Sequence, residues 1–202
     1  MPTVTELWTQ WQAFLTANLP ETAARLRPPA PAQALAELEA QRGIELPTDV
    51  RELYGLHDGE LDEEDSLVDG AFFGLYFLPL DRMSVTGGTE EMPDSTSYPP
   101  GAVRAYDTHR RWFPLGHDGG GNFIGFDLDP AENGTVGQII NFGRDETDKF
   151  VMAPSLREFL ALVLGEIGRG NYRLDPDENG RPRFVLGSYY LTDTLRGLLV
   201  KA

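Results

Sequence analysis

Apolar residues Val4, Leu7, Trp8, Trp11, Phe14 and Leu15 recur at spacings of three and four, the signature of a helix with one broad apolar face. Pro20 closes that helix, a short helical piece follows to Arg25, and Pro28-Pro29-Ala30-Pro31 makes a stiff break. From Ala32 to Arg42 the composition again favours helix, with Leu35 and Leu38 on one side and Gly43 as a stop signal. Pro47 then stands near the first turn of another short helix, whose Val50, Leu53 and Tyr54 point inward. The first third of the chain is predicted to be helical.

The period changes after that. Ala71 to Leu80 (AFFGLYFLPL) is an aromatic run that predicts a strand broken at Pro79. A polar stretch with Gly87-Gly88, Pro93 and Pro99-Pro100 separates it from Arg111-Trp112-Phe113-Pro114, and mobility is expected over 81–111. Asn122–Leu128 and Thr135–Phe142 alternate as strands, and the Asn133-Gly134 pair between them predicts a hairpin. Phe123, Gly125 and Asp127 share one face of the first strand, opposite Ile124, Phe126 and Leu128. Ser155-Leu156-Arg157-Glu158 is a capping box, opening a helix with a stripe from Leu156 to Ile167. After Tyr172 the turn Asp175–Gly180 leads to a strand over Pro182–Tyr190 and a short helix over Thr192–Val200. Helices first, strands in the middle and a helix after them predict an α+β fold.

Composition narrows the function classes. Among 202 residues there is no cysteine, which removes disulfides, thiolate metal sites and cysteine nucleophiles. The formal charge of −15 disfavours nucleic acid, whose phosphates need a basic patch. No apolar run approaches the ~20 residues of a membrane span, and no basic start precedes Arg25, so a cytoplasmic protein is expected. Seven of the acidic residues, Asp58, Glu60, Asp62, Glu63, Glu64, Asp65 and Asp69, lie in one segment without Lys or Arg. Such a run is either a solvated face or a surface for a basic partner.

The glycine-rich 117–122 segment lacks the lysine of a phosphate loop and leads into a strand, so it reads as a glycine turn held by Asp118. His-Asp-Gly at 57–59 and 117–119, with Asp127, suggests a divalent-metal hydrolase built on His57, His117, Asp118 and Asp127. Both units fall in predicted turns, however, where ligands are not held rigidly. Asp175, Asp177, Asn179 and Gly180 open like a calcium loop, but Leu186 stands where the bidentate glutamate belongs, leaving a hairpin turn. No Gly-X-Ser-X-Gly elbow exists, and Ser155 is explained as a cap. No catalytic residue, cofactor site or metal site is assigned. Trp8 and Trp11 belong to a core stripe, whereas Trp112, between two arginines and a proline, is the aromatic residue least committed to the core.

The order of several motifs resembles the Smi/Knr family of the SUKH superfamily, named after fungal cell-wall assembly regulators. They are the Trp8/Trp11 helix, the 32–43 helix, Leu46-Pro47 with Val50-Arg51-Glu52-Leu53-Tyr54, and His57-Asp58-Gly59. Next come Trp112-Phe113-Pro114-Leu115-Gly116, Asp118-Gly119-Gly120-Gly121-Asn122, Asp127-Leu128-Asp129-Pro130, Gly137-Gln138-Ile139-Ile140 and the Ser155–Leu164 helix. His57-Asp58-Gly59 departs from the more usual Asn-Gly at that helix end. The resemblance covers residues 1–172 and leaves 173–202 as a C-terminal extension, a strand and short helix packed on the domain. It implies a central antiparallel sheet flanked by helices and a non-enzymatic protein-binding role. Bacterial members look like immunity proteins that neutralise toxin domains, including basic nuclease-type ones, and fungal relatives look like regulatory scaffolds. The immunity role is the leading expectation, with Asp58, Glu60, Asp62, Glu63, Glu64, Asp65, Asp69, Trp112 and Asp118 as the partner-binding residues.

Overall fold

Helix α1 (Val4–Asn18) begins at a full capping box, in which Thr3 accepts the Glu6 N–H and Glu6 accepts the Thr3 N–H at 2.8 Å. Its apolar stripe buries Val4, Leu7, Trp8, Trp11 and Leu15. Helices α2 (Pro20–Ala24), α3 (Ala32–Arg42) and α4 (Thr48–Tyr54) follow at the proline breaks, and Gly43 closes α3 in the left-handed conformation at φ 59°. The computed structural model describes residues 1–61, 69–83, 91–187 and 191–199.

The strands are β1 (Tyr76–Phe77), β2 (Thr96–Tyr98), β3 (Trp112–His117), β4 (Asn122–Asp127), β5 (Gln138–Gly143) and β6 (Asp148–Ala153). They form one six-stranded sheet in the order β1-β3-β4-β5-β6-β2. All neighbours are antiparallel except β2, which runs parallel to β6 at the edge. The expected β4–β5 hairpin is present, with Asp127 opposite Gln138. Gly125 is obligatory there, because a Cβ would stand 2.1 Å from the Phe113 carbonyl oxygen.

One face of the sheet, carrying Phe113, Ile124, Phe126 and Ile139, packs into the main core with the helices. The opposite face buries Ile140 and Phe142 under Trp112 and the Ala102-Val103 arch. Helix α5 (Leu156–Gly168), with Ser155 accepting the Glu158 N–H, contributes Leu156, Phe159, Leu160 and Val163. The C-terminal hairpin of β7 (Tyr172–Pro176) and β8 (Pro182–Leu186) and helix α6 (Leu191–Leu199) add Phe184, Leu186, Leu191 and Leu195 to the same core.

The 71–80 stretch is not the strand its aromatic content predicts. Only Tyr76–Phe77 pairs in the sheet. Phe72 and Phe73 are consecutive yet both enter the same core and meet Phe159, whereas a strand would send them to opposite faces. The backbone achieves this by a tight turn, with Phe73 at φ 56° and Gly74 at φ 90°. Phe72 then stacks on Phe159 at 5.8 Å and 6°, and Phe73 lies 4.4 Å from Trp11. Trp11 Nε1 also donates to the Ala71 carbonyl at 2.7 Å. Strand β6 goes unpredicted because Lys149 is buried on its second face, and β2 because its residues are polar and sit at the sheet edge. Truncating Phe72→Ala is expected to cost about 3–5 kcal/mol, read as a lower urea midpoint at unchanged slope. A loss under ~1 kcal/mol would show that this turn does not anchor the helices.

Candidate functional site

The acidic run does not form one solvated, cation-free face. Asp58 accepts the Leu80 N–H at 2.9 Å and pairs with Arg27 at 3.0 Å. Glu60 is only 3 % exposed, pairs with Arg25 at 3.0 Å and accepts the Ala71 N–H. Both arginines arrive from the segment after α2, which sequence proximity could not reveal. Trp112 is 1 % exposed, packed against Phe142 and Tyr106. Glu60 and Trp112 are therefore buried in this fold, whereas the sequence placed both among the partner-binding residues. Asp62, Glu63, Glu64 and Asp65 lie outside the described residues.

The His-Asp units have local duties. His57 Nδ1 sits 2.7 Å from the Arg27 carbonyl oxygen and its ring lies beside Trp8. The His117 ring lies tilted against Tyr76 at 5.1 Å, and its Nδ1 accepts the Gly119 N–H at 3.1 Å. Asp127 is fully buried, accepting the Asp129 N–H at 2.8 Å and the Gln138 amide at 3.0 Å. Burial pushes its carboxyl up to about 6 against those hydrogen bonds. Asp177 accepts the N–H groups of Asn179 and Arg181 at 2.8 Å, the work of a turn. Among the described residues no three His, Asp or Glu side chains gather to hold a metal ion.

Two predicted residues do come together. Asp69 and Asp118 line one hollow of 260 Å³, which the 69–75 turn, β8 and α6 enclose. Through Leu75, Asp118 and Leu191 it adjoins a larger cleft of 390 Å³ between the open ends of β4–β6 and helix α6. Asp145, Glu146, Asp148 and Asp193 join Asp118 in the larger cleft, with Arg196 as the one cationic side chain among the described residues that line it. Phe123, Ile124 and Phe150 supply apolar wall. Sequence reasoning missed the 145–148 and 193 carboxylates because they belong to a turn and a helix far from Asp118. Their only advance signal was an acidic turn, Arg144-Asp145-Glu146, before an unrecognised strand.

Local bonding fixes these groups. Asp118 accepts from the Gly120 N–H at 2.7 Å, the Asn122 N–H at 3.0 Å and the Asn122 amide at 2.9 Å. Burial raises its carboxyl, but the hydrogen bonds outweigh it and hold Asp118 below the ordinary value. Burial raises Glu146 despite its bond to the Asn141 amide and the charge of Lys149, and the negative charges of Asp118 and Asp193 add to the rise. The Thr96 hydroxyl and the Arg196 guanidinium, at 2.9 Å, lower Asp148. Asp69 accepts the Phe184 N–H, and burial pushes its carboxyl up to about 7 despite that bond and Arg183; Asp177 adds to the rise.

These features define an α+β domain with an acidic, partly apolar cleft at one end of its sheet. The description of the SMI1 / KNR4 family (SUKH-1) matches residues 29–162, and the chain belongs to that family. It is 32 % identical over 197 residues to the cell wall biosynthesis/cell cycle regulator smi1 of Schizosaccharomyces pombe, covering 88 % of this chain and 39 % of the relative. It is 28 % identical to the cell wall assembly regulator SMI1 of Saccharomyces cerevisiae, covering 85 % of this chain and 42 % of that protein. A glucan synthesis regulatory protein of Neurospora crassa is also 28 % identical, covering 87 % and 40 %. The chain thus spans about two fifths of the length of these curated relatives. Among the described residues no helix is long and apolar enough to cross a membrane.

The raised Asp69 carboxyl has a definite sign. A proton held more tightly in the folded than in the unfolded chain stabilises the fold at low pH, and that stabilisation is lost as pH rises through about 7. Asp69→Asn keeps an oxygen for the Phe184 N–H without the charge. Urea unfolding should find it more stable than the parent at pH ~8.5 and near parity at pH ~4. Lower stability than the parent at the higher pH would contradict this assignment.

Proposed function

We propose that this chain is a non-enzymatic, protein-binding regulator of the cell-wall-assembly type, acting in the cytoplasm. The observation that carries the reading is the similarity over 88 % of the chain to a fission-yeast protein named as a cell-wall and cell-cycle regulator. The names of the other relatives favour the same reading over the toxin-neutralising immunity role expected from the sequence. In this reading residues 1–172 form the family domain, and 173–202 are an extension that completes it through α6. The surplus of negative charge suits attraction of a basic protein, since complementary fields speed encounter. Asp58 and Asp69, with the Asp62–Asp65 carboxylates, would contribute to that field more than to close contact.

The test uses the tagged chain in the cells that produce it. After brief crosslinking and purification, the chain should bring down a stoichiometric partner that belongs to the machinery of wall synthesis. Recovery of a secreted toxin domain would return the immunity reading, and recovery of the chain alone would contradict both.

A further inference from the structure

A group of carboxylates is ordinarily no more than a solvated face, and three features set the α6 cleft apart. The first is its shape. The acids do not ring an open surface but rim a 390 Å³ cleft whose walls include Phe123, Ile124 and Phe150. The second is that the chain already seats a guanidinium in it. Arg196, on α6, lies 4.9 Å from the centre of the Phe150 ring and 2.9 Å from the Asp148 carboxylate. That is the recognition expected of arginine, with a flat cation on an aromatic face and an acid at its edge. The third is that two of the acids keep no cationic partner, although Arg144 pairs with Asp145 at 3.3 Å and the charge of Lys149 favours ionised Glu146. Asp118 and Asp193 pair with no Lys or Arg among the described residues. They stand close enough to Glu146 for their charges to oppose its ionisation.

A cation is the missing complement, and the geometry points away from a metal ion, since no metal-holding group of side chains exists among the described residues. A guanidinium meets the requirement at several separated carboxylates, and apolar neighbours in the same segment meet the aromatic wall. The adjoining 260 Å³ hollow continues past Leu75 to Asp69, a path suited to an extended segment rather than a single ion.

We propose that the cleft between α6 and the β4–β6 end of the sheet docks an arginine-bearing segment of a protein partner. Its guanidinium groups engage Asp118, Glu146 and Asp193, and its apolar side chains cover the half-buried Phe123. The assignment rests on the protein-binding reading and names the surface and the partner's chemistry.

The probe is a fluorescent peptide of alternating arginine and leucine, about nine residues long, followed by anisotropy against the full chain. Saturable binding is expected. Glu146→Gln combined with Asp193→Asn should weaken it about tenfold or more. Glu132→Gln with Glu178→Gln removes the same charge at two turns away from the cleft and should change it less than about twofold. A peptide with citrulline for arginine has nearly the same shape but no charge and should lose binding to the parent chain, whether or not the cleft variant folds. Equal losses in both double variants, citrulline binding as tightly as arginine, or no saturable binding would overturn the proposal. Calcium ions displacing the peptide at constant ionic strength would overturn it too, by making the cleft a metal site. If the crosslinked partner is captured equally by parent and cleft variant, the cleft assignment falls and the protein-binding reading stands. If the parent captures none, it is the reading that falls.

Discussion

The seating of Phe72, Phe73 and Phe77 against helices α1 and α5 is the constraint on which the other features depend. Phe72 bridges Trp8 and Phe159, Phe73 meets Trp11, and Phe77 lies 5.3 Å from Trp8. Large aromatic side chains bury much area in fixed geometries, so this cluster dictates the backbone around it. Two adjacent phenylalanines turned into the same core demand the turn at Phe73-Gly74. That turn presents the Ala71 N–H to Glu60, and Glu60 in turn holds Arg25. A carboxylate and a guanidinium are thereby buried together, an arrangement tolerable because each meets the other and further hydrogen-bond partners.

The same turn reaches the cleft. Leu75 follows Gly74 directly and lies on the wall shared by both hollows, while Asp69 enters at the other end of the turn. On the far side, Leu191 and Leu195 anchor α6 in the core and so hold Asp193 and Arg196 over the sheet. Asp148 and Asp193 of the acidic rim thus sit on β6 and α6, while Asp118, Asp145 and Glu146 sit in the turns that join the strands, held there by their hydrogen bonds. Charge kept close in this way favours binding of an opposite charge more than it favours the isolated fold.

Much of this architecture was legible in the sequence wherever a local rule decides the outcome. The stripe through Trp8 and Trp11, the Gly43 stop and the Ser155 cap all act within a few residues and appear as the pattern predicts, and β4 pairs with β5 as expected, though across the whole 128–137 connection rather than a tight Asn133-Gly134 turn. The readings that fail are those set by distant partners. Glu60 looks like one more surface acid until Arg25 reaches it, and Trp112 looks exposed until the Ala102-Val103 arch covers it. Lys149 disguises β6 because its ammonium is buried against the Glu146 carbonyl, where loss of solvent lowers it to about 8. The cleft had the faintest trace, since Asp118 was visible as a turn former while Asp145, Glu146 and Asp193 join it only through sheet order and the docking of α6.

Family membership and the cleft together make one claim, that the chain works by holding a cationic protein segment at the α6 end of its sheet. Amide hydrogen exchange on the full chain, with and without the arginine–leucine peptide, tests that claim at the level of residues. The account predicts slowed exchange over 118–123, 145–148 and 191–196, with helices α3 and α4 unchanged. Slowing centred on α3 and α4, or no change around Asp118 and Asp193 at saturating peptide, would contradict it.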